Sequence, residues 1–207
     1  MAFDYVKRTY RIKGTMPSMQ HNGRLSNPLD PFVKRIKPIT GKKNKTDEDH
    51  LAISDLEFEG GLYLDDNDRV CWPPENILAM LITSAKFRKM GKKLANSLQI
   101  LGPSEHQGMF PLNYEGPREL ADLKADPRFR DIRSARVGQS RVMRTRPIFR
   151  QWSLEFWVLY LADQFDPEEL DWFVANAGRL VGLSEYPARY GRFIVTHIDG
   201  KSVNGKE

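Results

Sequence analysis

The chain has 207 residues, of which 40% are apolar and 29% charged, enough apolar surface to offset the entropy of ordering and to exclude wholesale disorder. Lys and Arg outnumber Asp and Glu by 32 to 27, a formal net charge of +5. The single cysteine, Cys71, excludes an intrachain disulfide, a zinc ribbon and any CxxC motif. The N-terminus has no apolar signal region, and no stretch approaches the roughly 18 apolar residues of a membrane span. The expectation is a cytoplasmic protein.

Asp4 to Met16 alternates, with Val6, Tyr10 and Ile12 on one face, and reads as a strand ended by Gly14 and Pro17. Pro17 to Lys45 reads as a long excursion, with turn signals at Asn22-Gly23, Asn27-Pro28 and Asp30-Pro31. It then turns basic, through Lys34, Arg35, Lys37, Lys42, Lys43 and Lys45. Thr46-Asp47-Glu48-Asp49 is a capping-box pattern for a short helix, which Gly60-Gly61 closes. A small hairpin is expected around Asp65–Asp68.

Pro73-Pro74-Glu75 opens a helix expected to run to about Leu98. Its far half carries Lys86, Arg88, Lys89, Lys92 and Lys93, cations that the macrodipole stabilises near a helix C-terminus. Gly102 to Arg128 reads as loop with a short helix near Arg118–Lys124. Arg128 to Arg150 holds eight arginines and one acid, Asp131, and Arg136–Arg146 reads as extended. Trp152 to Leu161 is the clearest strand, apolar on both faces toward its end, as a central strand requires. Asp166-Pro167-Glu168-Glu169 starts a helix whose stripe is Leu170, Phe173, Val174, Ala177, Leu180 and Val181, closed by Gly182. Phe193 to Ile198 is the last strand.

Strand, long insertion, helix, extended basic region, strand, helix, strand is the βαββαβ order of an α+β, ferredoxin-like (RRM-like) fold. Residues 1–198 are expected to form one domain, with 17–72 as an insertion subdomain and 199–207 as a mobile polar tail.

The arginine-rich segment carries the sharpest chemistry. On a strand Arg144 and Arg146 share a face, about 7 Å apart, and Arg136 joins them if the chain bulges or turns near Gly138. Such a row suits phosphates, because each guanidinium is a planar fork that also stacks on bases. The basic run Lys34–Lys45, with Lys42, Lys43 and Lys45, would extend a backbone-tracking groove. In the loop Tyr186–Arg192, Arg189 and Arg192 are the candidates for phosphate and the tyrosines for stacking. The alternative is a solvated basic surface for the arginine segment and the lysines, and a well-packed helix-to-strand connection with Tyr190 in the core for the loop.

Catalytic patterns are poor. His21, His50, His106 and His197 lack metal-ligand spacing, and there is no Walker, GxSxG or Rossmann pattern. His21, in a turn, is a weak candidate for a general base on an RNA 2′-hydroxyl. Asp30 alone would hold a metal poorly. No cofactor and no metal are expected.

Ala177-Gly178-Arg179-Leu180-Val181-Gly182-Leu183-Ser184, continuing through Arg189-Tyr190-Gly191-Arg192-Phe193, resembles the helix, glycine-containing loop and final strand of the RAMP superfamily. Val70-Cys71-Trp72-Pro73-Pro74-Glu75-Asn76-Ile77-Leu78 is similar to that family's entry into its first helix. The chain departs from the family in having no glycine from Ser184 to Ala188. The resemblance implies a backbone subunit of a CRISPR effector complex, stacking side by side along single-stranded RNA. It implies a thumb-like β-extension bearing Arg141, Arg144 and Arg146, with Arg189 and Arg192 in the palm. Some relatives cut RNA with an aspartate after the first strand, where Asp30 stands. The chain also resembles uncharacterised bacteriophage and prophage proteins of similar length.

The sequence therefore points to a non-catalytic binder of single-stranded nucleic acid, RNA by the resemblance. Two rivals stay open: a RAMP-type endoribonuclease using His21 or Asp30, and a phage-encoded interaction protein whose basic face meets or blocks a protein complex.

Overall fold

Alternation along Tyr5–Gly14 turns Tyr10 and Ile12 into the interior and leaves Lys7, Arg11 and Lys13 exposed. This strand pairs antiparallel with Trp152–Leu161 on one side, Thr9 opposite Trp157, and with Phe193–Ile198 on the other. In the computed structural model, which describes residues 5–187 and 189–203, the fold is α+β and its sheets are antiparallel. Two compact units divide these residues. The first takes those up to Ser18, Leu64–Glu115 and those from Arg150 on; the second takes Met19–Tyr63 and Gly116–Phe149.

The first unit contains the ferredoxin-like core. Across its sheet the strands run Lys201–Ser202, Phe193–Ile198, Tyr5–Gly14, Trp152–Leu161, Phe110–Tyr114 and Cys71–Trp72, with Leu98–Gln99 also pairing with Trp152–Leu161. The four core strands thus take the order fourth, first, third, second. Its second strand is Phe110–Tyr114, with Leu112 opposite Leu154, and not the arginine-rich segment. Helices Pro74–Ala85 and Pro167–Asn176 bury Ile77, Leu81, Leu170, Phe173 and Val174 in the same core as Phe156, Val158 and Phe193. Arg8, on the Tyr10 side of its strand, forms a two-point ion pair with Asp171 at 2.7 Å, and the Tyr10 hydroxyl donates to Asp171 at 2.8 Å. Burial beside that carboxylate holds the Tyr10 hydroxyl well above the usual phenol range. Cys71 is buried, and burial pushes its thiol up to about 12.

Two expected helices differ from the sequence reading. The helix from Pro74 stops at Ala85, turns through Lys86–Arg88 and resumes at Gly91–Ser97. Pro167–Asn176 continues as a π-turn over Ala177–Val181, where the Gly182 N–H donates to the Ala177 carbonyl at 2.8 Å. The wider turn rotates Leu180 out of the apolar stripe, leaving it exposed while Val181 stays buried. Beyond Ile198, the Lys201–Ser202 strand folds back on His197 and Ile198; residues 204–207 of the expected tail lie outside the described residues.

The second unit carries an antiparallel hairpin, Arg130–Val137 with Ser140–Phe149, flanked by the short strand Ser18–Met19 through which the chain enters. Helix Asp47–Gly61 packs on Ser140–Phe149, and helix Pro31–Thr40 packs on Asp47–Gly61. The capping box is present: Thr46 Oγ1 accepts the Asp49 N–H, and Asp49 accepts the Thr46 N–H. Gly61 is tight, since a Cβ there would lie 3.0 Å from Pro147. No helix among the described residues is long and apolar enough to cross a membrane.

Candidate nucleic-acid interface

The hairpin closes through the two-residue turn Gly138-Gln139, with Gly138 at φ +60 in the first central position, where a tight hairpin turn favours glycine. The register sets Arg136 opposite Arg141 on one face. On the other it sets Arg133 opposite Arg144 and Asp131 opposite Arg146. Like charges directly opposite one another repel, and the hairpin treats the two arginine pairs differently. Arg133 is clamped by Asp131, and Arg144 is ion-paired with Glu57. Arg136 Nε donates to the Gly138 carbonyl at 3.0 Å, and neither Arg136 nor Arg141 makes an ion pair with a described residue. Both are exposed, beside an exposed Ile132 and Met143.

This differs from the expected row of Arg144, Arg146 and Arg136. Arg146 is only 5% exposed, and Arg144 is held by an acid that is itself 5% exposed on the side chain. Arg136 lies on the opposite face, with Arg141. Alternation does put Arg144 and Arg146 on one face, but helix Asp47–Gly61 covers that part of the strand, which the strand's own sequence does not announce.

The basic excursion forms a helix. Asp30 caps Pro31–Thr40: its Oδ1 accepts the Phe32 N–H at 2.9 Å, and Arg24 Nε donates to Oδ2 at 3.0 Å. Burial pushes the Asp30 carboxyl upward, but these two donors outweigh it and hold it below the usual carboxylate range. Both Asp30 oxygens are thus engaged in a cap and an ion pair. His21 lies nine positions earlier, where its carbonyl accepts the Tyr63 hydroxyl at 3.3 Å. Among the described residues no group of three His, Cys, Asp or Glu is placed to hold a metal ion.

From Pro31 to Thr46 there are six cations and no acid. Lys34, Arg35 and Lys37 are exposed on the helix, and Lys42 and Lys43 are exposed on its exit. Lys42 Nζ reaches Asp49 at 2.6 Å, and Lys45 Nζ donates to the Lys42 carbonyl at 2.8 Å. Lys43 makes no ion pair with a described residue. The sequence candidates therefore meet Lys34, Arg35 and Lys37 as further members of one cationic surface. The signal for these three was the Asp30-Pro31 start, which reads equally as a turn.

Arg189 and Arg192 belong to the first unit. Their loop is closed at its base by the Leu183 N–H donating to the Gly191 carbonyl and the Gly191 N–H to the Pro17 carbonyl, at 2.8 and 2.7 Å. Arg189 is exposed, its guanidinium 5.9 Å from the Tyr190 ring centre. Arg192 is half-buried and donates to the Arg179 carbonyl. Ala188 lies outside the described residues.

No protein-family model matches the chain, and no curated protein matches it. Among solved structures it is similar to a chain in the cryo-EM structure of the Type III-B Cmr-beta bound to cognate target RNA. That similarity has a TM-score of 0.48 at 10% identity and covers 94% of this chain and 60% of that one. The chain thus spans about three fifths of the chain it matches there.

Proposed function

We propose that the protein binds single-stranded nucleic acid without cutting it, and that the second unit takes the phosphates on helix Pro31–Thr40, its exit loop and the hairpin tip. One observation carries this reading: an acid-free run from Pro31 to Thr46, whose six cations are exposed except for the half-buried Lys45. The Arg136–Arg141 pair supports it, since a phosphate between two opposed guanidinium groups converts repulsion into charge-assisted hydrogen bonds. RNA is chosen over DNA on the RAMP resemblance. That resemblance also gives the larger role, a backbone subunit of a CRISPR effector complex, with copies side by side along one strand.

The test is fluorescence anisotropy of a labelled, unstructured RNA over a salt series. The expected log–log slope is about −0.7 for each phosphate neutralised. The combined Lys34→Glu, Lys37→Glu, Lys43→Glu variant is expected to bind at least about tenfold more weakly, with a shallower slope. No binding at low salt, together with copurification of an acidic protein, would sink this reading in favour of a protein partner.

A further inference from the structure

The chain has no Asp or Glu from Asn76 to Ser104, and five cations fall within eight residues of that stretch: Lys86, Arg88, Lys89, Lys92 and Lys93. All five are exposed, and none makes an ion pair with a described residue. In one unbroken helix the C-terminal dipole would account for them. The helix is broken instead. Lys89 sits at φ 59, a left-handed conformation strained for a residue with a side chain, and the chain folds back so closely that a Cβ on Gly91 would lie 2.9 Å from Lys86 Cγ. Lys86 and Arg88 remain at a helix end that favours cations. Lys92 and Lys93 fall in the first turn of Gly91–Ser97, where the dipole opposes them.

Aromatic groups are interleaved with these charges. The Arg88 guanidinium lies over the Trp172 ring, 3.6 Å from its centre, and Lys93 Nζ lies 4.7 Å from that of Phe165. Phe87, between Lys86 and Arg88, is 61% exposed. A self-repelling cluster at a strained knuckle, with a free phenyl ring beside it, has the composition of a site for phosphates and a stacked base.

We infer that this knuckle of the first unit is a second binding site for single-stranded nucleic acid, with Arg88, Lys89 and Lys92 on phosphates and Phe87 stacked on a base. It uses none of the residues assigned to the second unit and does not rest on that assignment. A lipid surface is disfavoured because one exposed phenyl does not make the broad apolar face that lies in a membrane interface.

The test uses the full chain and an RNA carrying 4-thiouridine. Photo-crosslinks mapped by mass spectrometry are expected on the peptide containing Phe87, and to persist in the Lys34→Glu, Lys37→Glu, Lys43→Glu variant. The Phe87→Ser, Lys89→Asn, Lys92→Gln variant keeps a residue that tolerates positive φ at position 89. It is expected to lose those crosslinks, and its salt slope should fall by about 1.4, two contacts' worth. Crosslinks confined to other peptides, with affinity and slope unchanged in this variant, would overturn the inference. So would loss of binding to phosphatidylserine vesicles with RNA binding intact, which would assign the knuckle to an anionic membrane.

Discussion

Glu57 and Arg144 are ion-paired across the free edge of the second hairpin strand, and the same carboxylate accepts the Thr145 N–H at 2.8 Å. Ser18–Met19 pairs with only part of that strand. At Thr145 a helix side chain takes the place of a neighbouring strand, and Arg144 supplies its counter-charge.

Arg144 and Arg141 should therefore part company on mutation, although both are strand arginines three residues apart. Arg144→Ala leaves Glu57 buried with its charge uncompensated and is expected to cost about 1–3 kcal/mol of stability. Its effect on RNA affinity should be small. Arg141→Ala is expected to leave the urea midpoint in place and to weaken RNA binding severalfold. Paired denaturation and anisotropy measurements check both; an Arg144→Ala protein of unchanged midpoint would refute the structural role.

Gly191 is a severe test of the loop. It sits at φ +71, and a Cβ there would come within 2.2 Å of the Leu183 carbonyl oxygen. Gly191→Ala combines a strained dihedral with a clash against backbone and is expected to lose about 3 kcal/mol or more. Gly23→Ala, with nothing within 4 Å of its Cβ position, is the matched control and should unfold like the unaltered protein.

Asp65 ties two loops of the first unit. Its Oδ1 accepts the Asn67 and Arg69 N–H groups, each at 2.9 Å, and its Oδ2 meets His106 Nδ1 at 2.7 Å. Burial alone would raise this carboxyl, but these hydrogen bonds and the His106 ring hold it below the usual range. A carboxyl whose folded value is depressed stabilises above its unfolded value, about 3.9, and loses that contribution as pH falls through the lower folded value. Asp65→Asn should therefore flatten the acid limb of the stability curve below about pH 4 and lower the plateau at neutral pH. Urea midpoints at neutral and acid pH measure this; parallel acid limbs in the two proteins would count against it.

Much of the first unit was legible because its elements carry their own signals. Trp152–Leu161 announces itself by alternation, and Pro167–Asn176 by Asp166-Pro167 and its apolar stripe, although the Asp166 side chain makes no cap hydrogen bond. The same signature stands at Asp30-Pro31 and starts a real helix, with the side-chain cap in place. There the following residues are basic and no buried stripe arbitrates, so a turn reads equally well. Phe110–Tyr114 is five residues long and contains Pro111, and its strand character comes from pairing with Leu154 and Trp152 rather than from its own residues. At the candidate site the sequence gives charge and alternation. Which arginines stay in solvent depends on where helix Asp47–Gly61 lies, a tertiary fact.

The second unit is assembled from two stretches of chain, Met19–Tyr63 and Gly116–Phe149. During synthesis Glu57 emerges 87 residues ahead of the arginine it neutralises. Until Arg144 follows, the helix that will cover the hairpin has nothing to cover, and Tyr5–Gly14 waits longer still for Trp152–Leu161. The second unit cannot close before the hairpin is made, nor the first before Trp152–Leu161 and Phe193–Ile198 follow. Premature termination before the hairpin is complete leaves a fragment with no finished core, a substrate for chaperones and proteases rather than for RNA.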